Sequence, residues 1–313
     1  MANCHNLFGE FNTEISLTSN KKTKMTSSKD KLRERIRKYF KEKHSEYIPK
    51  FYIQGSYKMK TGIRTKDDIC DLDDGVYFFR TPDVTATTLQ NWIWDAVNGY
   101  TTTSPEHRKK CIRTIFSGDY EIDIPVYYKV SGEEYQLAVK NNGWEDSDPK
   151  ALIDWFNDNK DANGKMIKTI KDLKAWCDYK RNKMPSGLAM TILAMNAKSK
   201  IVLNDRDDIL LTDILREIKK TLAQKFECVV PVTPKDNLFA DYDDTRKTNF
   251  LTNLDNFLTD AEAALKEQNH LKASRLWQKH LGTRFPDGED KNEQSNSNSA
   301  TTSGAALSRP WAK

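Results

Sequence analysis

The hydrophobic period changes once along this chain, near Pro149, and that change constrains the fold more than any other feature. From Tyr47 to Tyr135 the apolar residues alternate or cluster as in strands. Phe51–Gln54, Ile69–Arg80, Arg113–Ser117 and Tyr120–Val130 read as strands, and Thr87–Val97 reads as one helix between them, with Leu89, Trp92 and Ile93 on a face. After Pro149 the repeat is helical almost throughout. Met166–Arg181 carries Ile167, Ile170, Leu173, Trp176 and Cys177 at three- and four-residue steps. Ala151–Asn157, Leu188–Ala197, Ile209–Phe226, Phe250–Lys266 and Lys272–Leu281 complete the set. Strands first and helices second predict an α+β protein with a mixed sheet, built as two lobes around a cleft.

The ends read differently. Residues 1–26 are polar and weakly periodic, and are expected to be a loosely attached arm. A helix is expected from Ser27 or Ser28, with Leu32, Ile36, Tyr39 and Phe40 at helical spacing. Residues 27–149 then form the strand-rich lobe and 150–287 the helical lobe. Residues 288–313, rich in Asn, Ser, Thr and Gly, are expected to be a disordered tail. The tail closes on Ser308-Arg309-Pro310-Trp311-Ala312-Lys313, which reads as a passive extension or as a handle for a regulatory or tail-modifying protein.

Composition excludes several classes. No apolar run is long enough to span a bilayer, and no basic start followed by an apolar block suggests secretion. Five scattered cysteines give neither a zinc pattern nor a disulfide framework, so a reducing cytoplasm is the expected home. Fifty basic against 45 acidic residues leave a net charge of +5, which does not demand nucleic acid but allows a local basic pocket.

The chemistry concentrates in three stretches: Gln54-Gly55-Ser56, Asp71-Leu72-Asp73-Asp74-Gly75-Val76-Tyr77, and Tyr120-Glu121-Ile122-Asp123-Ile124-Pro125. On a strand Asp71 and Asp73 project to one side while Cys70, Leu72 and Val76 face the core. If the strands are neighbours, Asp123 joins them and three carboxylates converge. Glu121 has the same parity as Asp123 and is its rival. Such carboxylates repel one another unless cations lie between them, and an oxygen-only set suits magnesium, with manganese as a substitute. Two such ions, about 3.5–4 Å apart, clamp an in-line displacement at phosphorus. Gly55 lets the backbone approach a phosphate and Ser56 adds a donor. The bland alternative for Asp71 and Asp73 is a solvent-facing strand that ends in an acidic turn at Asp73-Asp74-Gly75.

Gly-Ser, then Asp-x-Asp, then a third Asp on a later strand resembles the DNA polymerase β nucleotidyltransferase superfamily. Within it, Asp71-Leu-Asp-Asp-Gly-Val-Tyr and Ile122-Asp-Ile-Pro-Val resemble the cGAS/DncV-like nucleotidyltransferases (CD-NTases) of bacterial anti-phage systems. The resemblance implies a polymerase β-type nucleotidyltransferase lobe packed on a helical lobe. It implies a magnesium-dependent synthase that makes a cyclic di- or trinucleotide from ATP, GTP or other triphosphates. Asp71, Asp73 and Asp123 would be the metal ligands and catalytic carboxylates. Gln54, Gly55 and Ser56 would contact triphosphate. Lys174, in Lys174-Ala175-Trp176, and Ser186 would reach it from the helical lobe. Read without the resemblance, Lys174 is a surface lysine on an amphipathic helix. Neither a membrane nor obligatory nucleic acid is expected as a partner. A linear transferase acting on RNA ends or on a protein is the alternative reading.

Overall fold

A computed structural model of the chain describes residues 1–292. Residues 1–26 are not a loose arm. They form helix α1 (His5–Ile15) and the opening turns of α2 (Ser19–Lys43). Leu7, Phe8, Phe11 and Ile15 lie at helical spacing and are buried. The Phe8 ring packs edge-on against Trp277 and Phe285, each at 4.9 Å, and the Ala2 amide donates to Glu267 O at 2.7 Å. α1 is therefore part of the helical body. α2 starts at Ser19 because Thr18 caps it, accepting from the Lys21 amide at 3.2 Å. Its buried face of Met25, Leu32, Ile36 and Phe40 lies on the sheet.

Eight strands form the sheet: β1 (Lys50–Gln54), β2 (Cys70–Phe78), β3 (Glu106–His107), β4 (Ile112–Phe116), β5 (Tyr120–Ile124), β6 (Val126–Tyr128), β7 (Gln136–Val139) and β8 (Gly143–Asp146). The order is β3-β4-β5-β2-β6-β7-β8, with β1 paired to β2. β5 and β6 run parallel to β2 and the remaining pairs are antiparallel. Pro125 interrupts this ribbon because it has no N–H, yet the register holds across it: Asp73 faces Asp123, and Val76 faces Val126. Cys70, Leu72, Val76 and Phe78 pack into the core with α2 and α4 (Ala86–Val97), as alternation predicts. Asp74 shares their parity. The strand runs on through Asp74 and Gly75 without a turn, and the buried Asp74 carboxylate takes a two-pronged hydrogen bond from Arg33 at 2.7 and 2.5 Å. Trp92 and Trp94 are packing residues: Trp92 stacks on His44, and Trp94 donates to Pro105 O.

The helical body comprises α5 (Pro149–Asn159), α6 (Lys165–Lys180), α7 (Gly187–Lys198), α8 (Asp207–Gln224), α9 (Asp244–Lys266) and α10 (His270–Leu281), after a one-turn helix α3 (Gly55–Met59) that follows β1. Trp176, Phe250, Phe257, Trp277 and Phe285 fill its centre, each fully buried. Truncating any one of them to Ala would cost about 3–5 kcal/mol. α9 begins ahead of Phe250 because Asp243 caps it, accepting from the Arg246 amide at 2.6 Å. Residues 288–292, expected to open the tail, run along the start of α10: the His270 amide donates to Lys291 O and the Leu271 amide to Glu289 O. The rest of the expected tail, with Trp311, lies outside the described residues. Among the described residues no helix is long and apolar enough to cross a membrane.

The segment from Lys60 to Ile69, between α3 and β2, ties the two bodies together. The Arg64 amide donates to Ile15 O, and the Arg64 guanidinium reaches Ser16 O and Asp68. Lys66 N–H donates to Asp178 on α6, and Arg181 pairs with Asp67. The basic residues of this loop are thus not uniformly free to meet a ligand: Arg64 serves as a fastener.

Candidate active site

A cleft of about 740 Å³ lies between the two bodies. Gln54, Gly55, Ser56, Asp71 and Asp73 line it from the sheet, and Lys174 and Gly187 line it from the helices.

β1 delivers the first three. Its last residue, Gln54, stands opposite Asp73 in the antiparallel register. The Gln54 amide does not extend into the cleft as a free donor. Its Oε1 accepts from Tyr77 Oη at 2.8 Å, and its Nε2 donates to Tyr127 Oη at 3.0 Å. The two phenol rings stack at 4.6 Å, and burial pushes both hydroxyls well above their usual range, so they stay neutral. Gln54 thus anchors the turn into α3. Ser56 presents a hydroxyl that is sheltered and has no hydrogen-bond partner among the described residues. A buried polar group in that state is short of a ligand.

Asp71 and Asp73 share one face of β2, Asp71 open to the cleft and Asp73 half-buried. Neither is in a salt bridge among the described residues. Burial pushes the Asp73 carboxyl up to about 8, helped by the charges of Asp71 and Asp123. Asp71 is raised too, by the surrounding protein first, with Lys174 opposing and Asp123 reinforcing. Two carboxylates on one strand face, in no salt bridge among the described residues and with Asp71 raising Asp73, form an oxygen-only donor pair, which fits a hard divalent cation.

Lys174, on α6, is half-buried rather than exposed on the helix surface. Its ammonium donates to Thr61 Oγ1 at 3.0 Å and Thr61 O at 3.2 Å. Burial lowers it to about 8, while Asp71 and Asp73 pull the other way. Ser186 is the N-cap of α7, and its hydroxyl accepts from the Ala189 amide at 3.2 Å. Its neighbour Gly187 lines the cleft and Ser186 does not.

Asp123 sits where the register places it, one strand from Asp73, but it is not free. Arg113 on β4 holds both its oxygens: Nε to Oδ1 and an Nη to Oδ2, each at 2.7 Å. The remaining guanidinium nitrogen bonds Glu121. Asp123 does not line the cleft, and among the described residues no three His, Cys, Asp or Glu side chains are gathered to hold a metal. The trio expected from the sequence is, in the structure, a pair plus an arginine-bound third member. Motif reasoning does not single out Arg113, although a signal exists. A hairpin turning through Gly118 pairs Phe116 with Tyr120, and counting back from there sets Arg113 against Asp123.

Residues 49–127 match the family model described as cyclic GMP-AMP synthase DncV-like, nucleotidyltransferase domain. The chain is 29% identical over 245 residues to a protein of Escherichia albertii named cyclic GMP-AMP synthase. The match covers 70% of this chain and 55% of that protein, so the chain spans about half the length of the curated relative. Among solved structures, Vibrio cholerae DncV, a cyclic AMP-GMP synthase described as a prokaryotic cGAS homolog, aligns with a TM-score of 0.79 at 18% identity, over 92% of this chain and 98% of that one. Escherichia coli DncV in its 3′-deoxy GTP bound form aligns with a TM-score of 0.75 at 19% identity, over 87% and 93%. The architecture is thus the polymerase β-type nucleotidyltransferase fold with a helical lobe. Residues 49–127 are thus similar to the DncV-like nucleotidyltransferase domain, and the chain shares the DncV fold.

Proposed function

We propose that this chain condenses nucleoside triphosphates, ATP and GTP foremost, into a cyclic di- or trinucleotide and releases pyrophosphate. One observation carries this reading: Asp71 and Asp73 stand side by side, in no salt bridge among the described residues, in a cleft that also presents Gly55, the Ser56 hydroxyl and Lys174. Magnesium or manganese bound there would polarise the transferring phosphorus and acidify the attacking 3′-hydroxyl. Asp71 and Asp73 would hold the cations. Asp123, once free of Arg113, would complete the set and accept the proton from the 3′-hydroxyl oxygen. Ser56 would donate to a phosphate oxygen, and Lys174 would pair with the triphosphate across the cleft.

The relatives support this reading. The Escherichia albertii protein is named for cyclic GMP-AMP synthesis. Vibrio cholerae DncV has been solved with the linear intermediate 5′ pppA(3′,5′)pG and, in a mutant form, with ATP and GTP. The reading extends to an anti-phage signalling role in the bacterial cytoplasm and to synthesis without added nucleic acid. The test is to offer labelled triphosphates singly and in pairs with magnesium and to resolve the phosphatase-resistant products by mass. Ring-closed products support the proposal. Label found only in phosphatase-sensitive chains, in RNA ends or in protein would point to the linear transferase instead.

A further inference from the structure

The Arg113–Asp123–Glu121 group is built with one cation and two anions. All three side chains are largely buried, with 16%, 13% and 22% of each exposed. The fork of Arg113 engages both carboxylate oxygens of Asp123 and sets a positive charge against them, which opposes a cation at that carboxylate until the fork lets go. A buried guanidinium stripped of its partner would be strongly disfavoured. Here it would not be stripped. Glu121 lies two residues before Asp123 on β5, on the same face, and already takes the third arm. Arg113 can therefore let go of Asp123 and stay paired.

We propose that Arg113 is a positioning residue that latches Asp123 out of the metal site in the nucleotide-free chain, with Glu121 as the keeper that holds Arg113 when the latch opens. The idea rests on the reading of Asp71, Asp73 and Asp123 as metal ligands. In the closed state a divalent cation meets only Asp71 and Asp73 and binds weakly. A cation that arrives with triphosphate oxygens brings enough additional interaction to draw Asp123 across, so the third carboxylate engages when substrate is present. This arrangement also assigns Glu121, which parity alone left as a rival ligand: it serves Arg113.

The test is Mn²⁺ binding to the full, nucleotide-free chain, read as the loss of the free-ion electron paramagnetic resonance signal. Arg113→Lys keeps the charge and removes the fork, so it separates the latch from a simple field effect. Arg113→Lys is expected to bind Mn²⁺ about ten-fold tighter than the wild type. Glu121→Gln leaves Arg113 dependent on Asp123 and is expected to bind several-fold more weakly. In an Asp123→Asn background both changes should vanish, whereas a field effect would persist. Wild-type binding that Asp73→Asn abolishes, with Arg113→Lys no tighter, overturns the latch and leaves the metal-site reading standing. The same holds if either shift survives in Asp123→Asn. If neither wild type nor Arg113→Lys binds Mn²⁺, the site reading fails and the latch with it. Should Arg113→Lys not fold, the Glu121→Gln shift and its loss in Asp123→Asn decide the matter alone.

Discussion

The Asp73 carboxylate occupies the place where a side chain on Gly55 would begin: a β-carbon at 55 would overlap Asp73 Oδ2. Gly55 also has a φ of +62°, a left-handed conformation that favours glycine. The Gly-Ser turn and the Asp-x-Asp strand are therefore one fitted unit, and neither can change without the other.

Gly55→Ala should push Asp73 out of its position. Synthesis should fall at least 100-fold while stability drops by only about 1–2 kcal/mol, since the strain is confined to one turn. Product formation and urea unfolding, measured together, check this. Unchanged synthesis would mean that Asp73 need not sit where it does.

Asp74 differs from its neighbours in kind. Its carboxylate is 5% exposed and pinned by Arg33. Asp74→Ala leaves that guanidinium uncompensated and should destabilise the fold by about 3–5 kcal/mol. A shift in the urea midpoint reads this directly, and an equally stable variant would deny the pair its structural role.

Lys174 should carry a pH dependence. In the free chain its amine titrates near 8, below the ordinary lysine value, because it is buried. Below that pH it is charged and attracts triphosphate; above it the charge is lost. KM for triphosphate should therefore rise as pH passes 8, and Lys174→Arg should flatten that rise. Lys174→Ala should raise KM about ten-fold at pH 7, with a smaller effect on kcat. Steady-state kinetics from pH 6.5 to 9 separate these outcomes.

Asp172, between α1 and α6, is a stability switch of the opposite sense from an ordinary ion-paired acid. Burial raises its carboxyl to about 8, opposed by a hydrogen bond from Asn12 at 3.2 Å. The unfolded chain loses this proton near pH 4 while the folded chain keeps it, so stability falls as pH rises from about 4 to 8. Asp172→Asn should remove that slope, with a gain that is largest at pH 8 and absent near pH 4. Thermal unfolding at several pH values checks the sign, and a constant difference across the range would refute it.

What can be read from the sequence depends on how local the signal is. β2 announces itself because Asp71 and Asp73 interrupt an apolar strand at period two. α6 is equally plain, since its core face repeats within one segment. α1 escapes recognition: Leu7, Phe8, Phe11 and Ile15 have helical spacing, but their polar surroundings hide it, and the partners that bury them, Trp277 and Phe285, are far away in the chain. β7 and β8 are four residues each, β7 paired with β6 and β8 with β7, so neither carries a pattern of its own. At the site, Gly55, Ser56, Asp71, Asp73 and Lys174 can be named in advance and do line one cleft. The arginine on Asp123, the tyrosines on Gln54 and the capping bond of Ser186 cannot, because each is a tertiary or local contact that decides how a nameable residue is used.

The most direct measurement is pyrophosphate release from ATP plus GTP with magnesium, comparing wild type with Asp73→Asn at matched fold content. The substitution removes the charge and keeps the volume. Wild-type protein should release pyrophosphate with each bond formed, and the variant should be slower by about 1,000-fold or more, the loss of several kcal/mol of transition-state stabilisation. A wild-type protein that releases none, or a variant that matches it, would contradict the assignment of Asp73 to the chemistry.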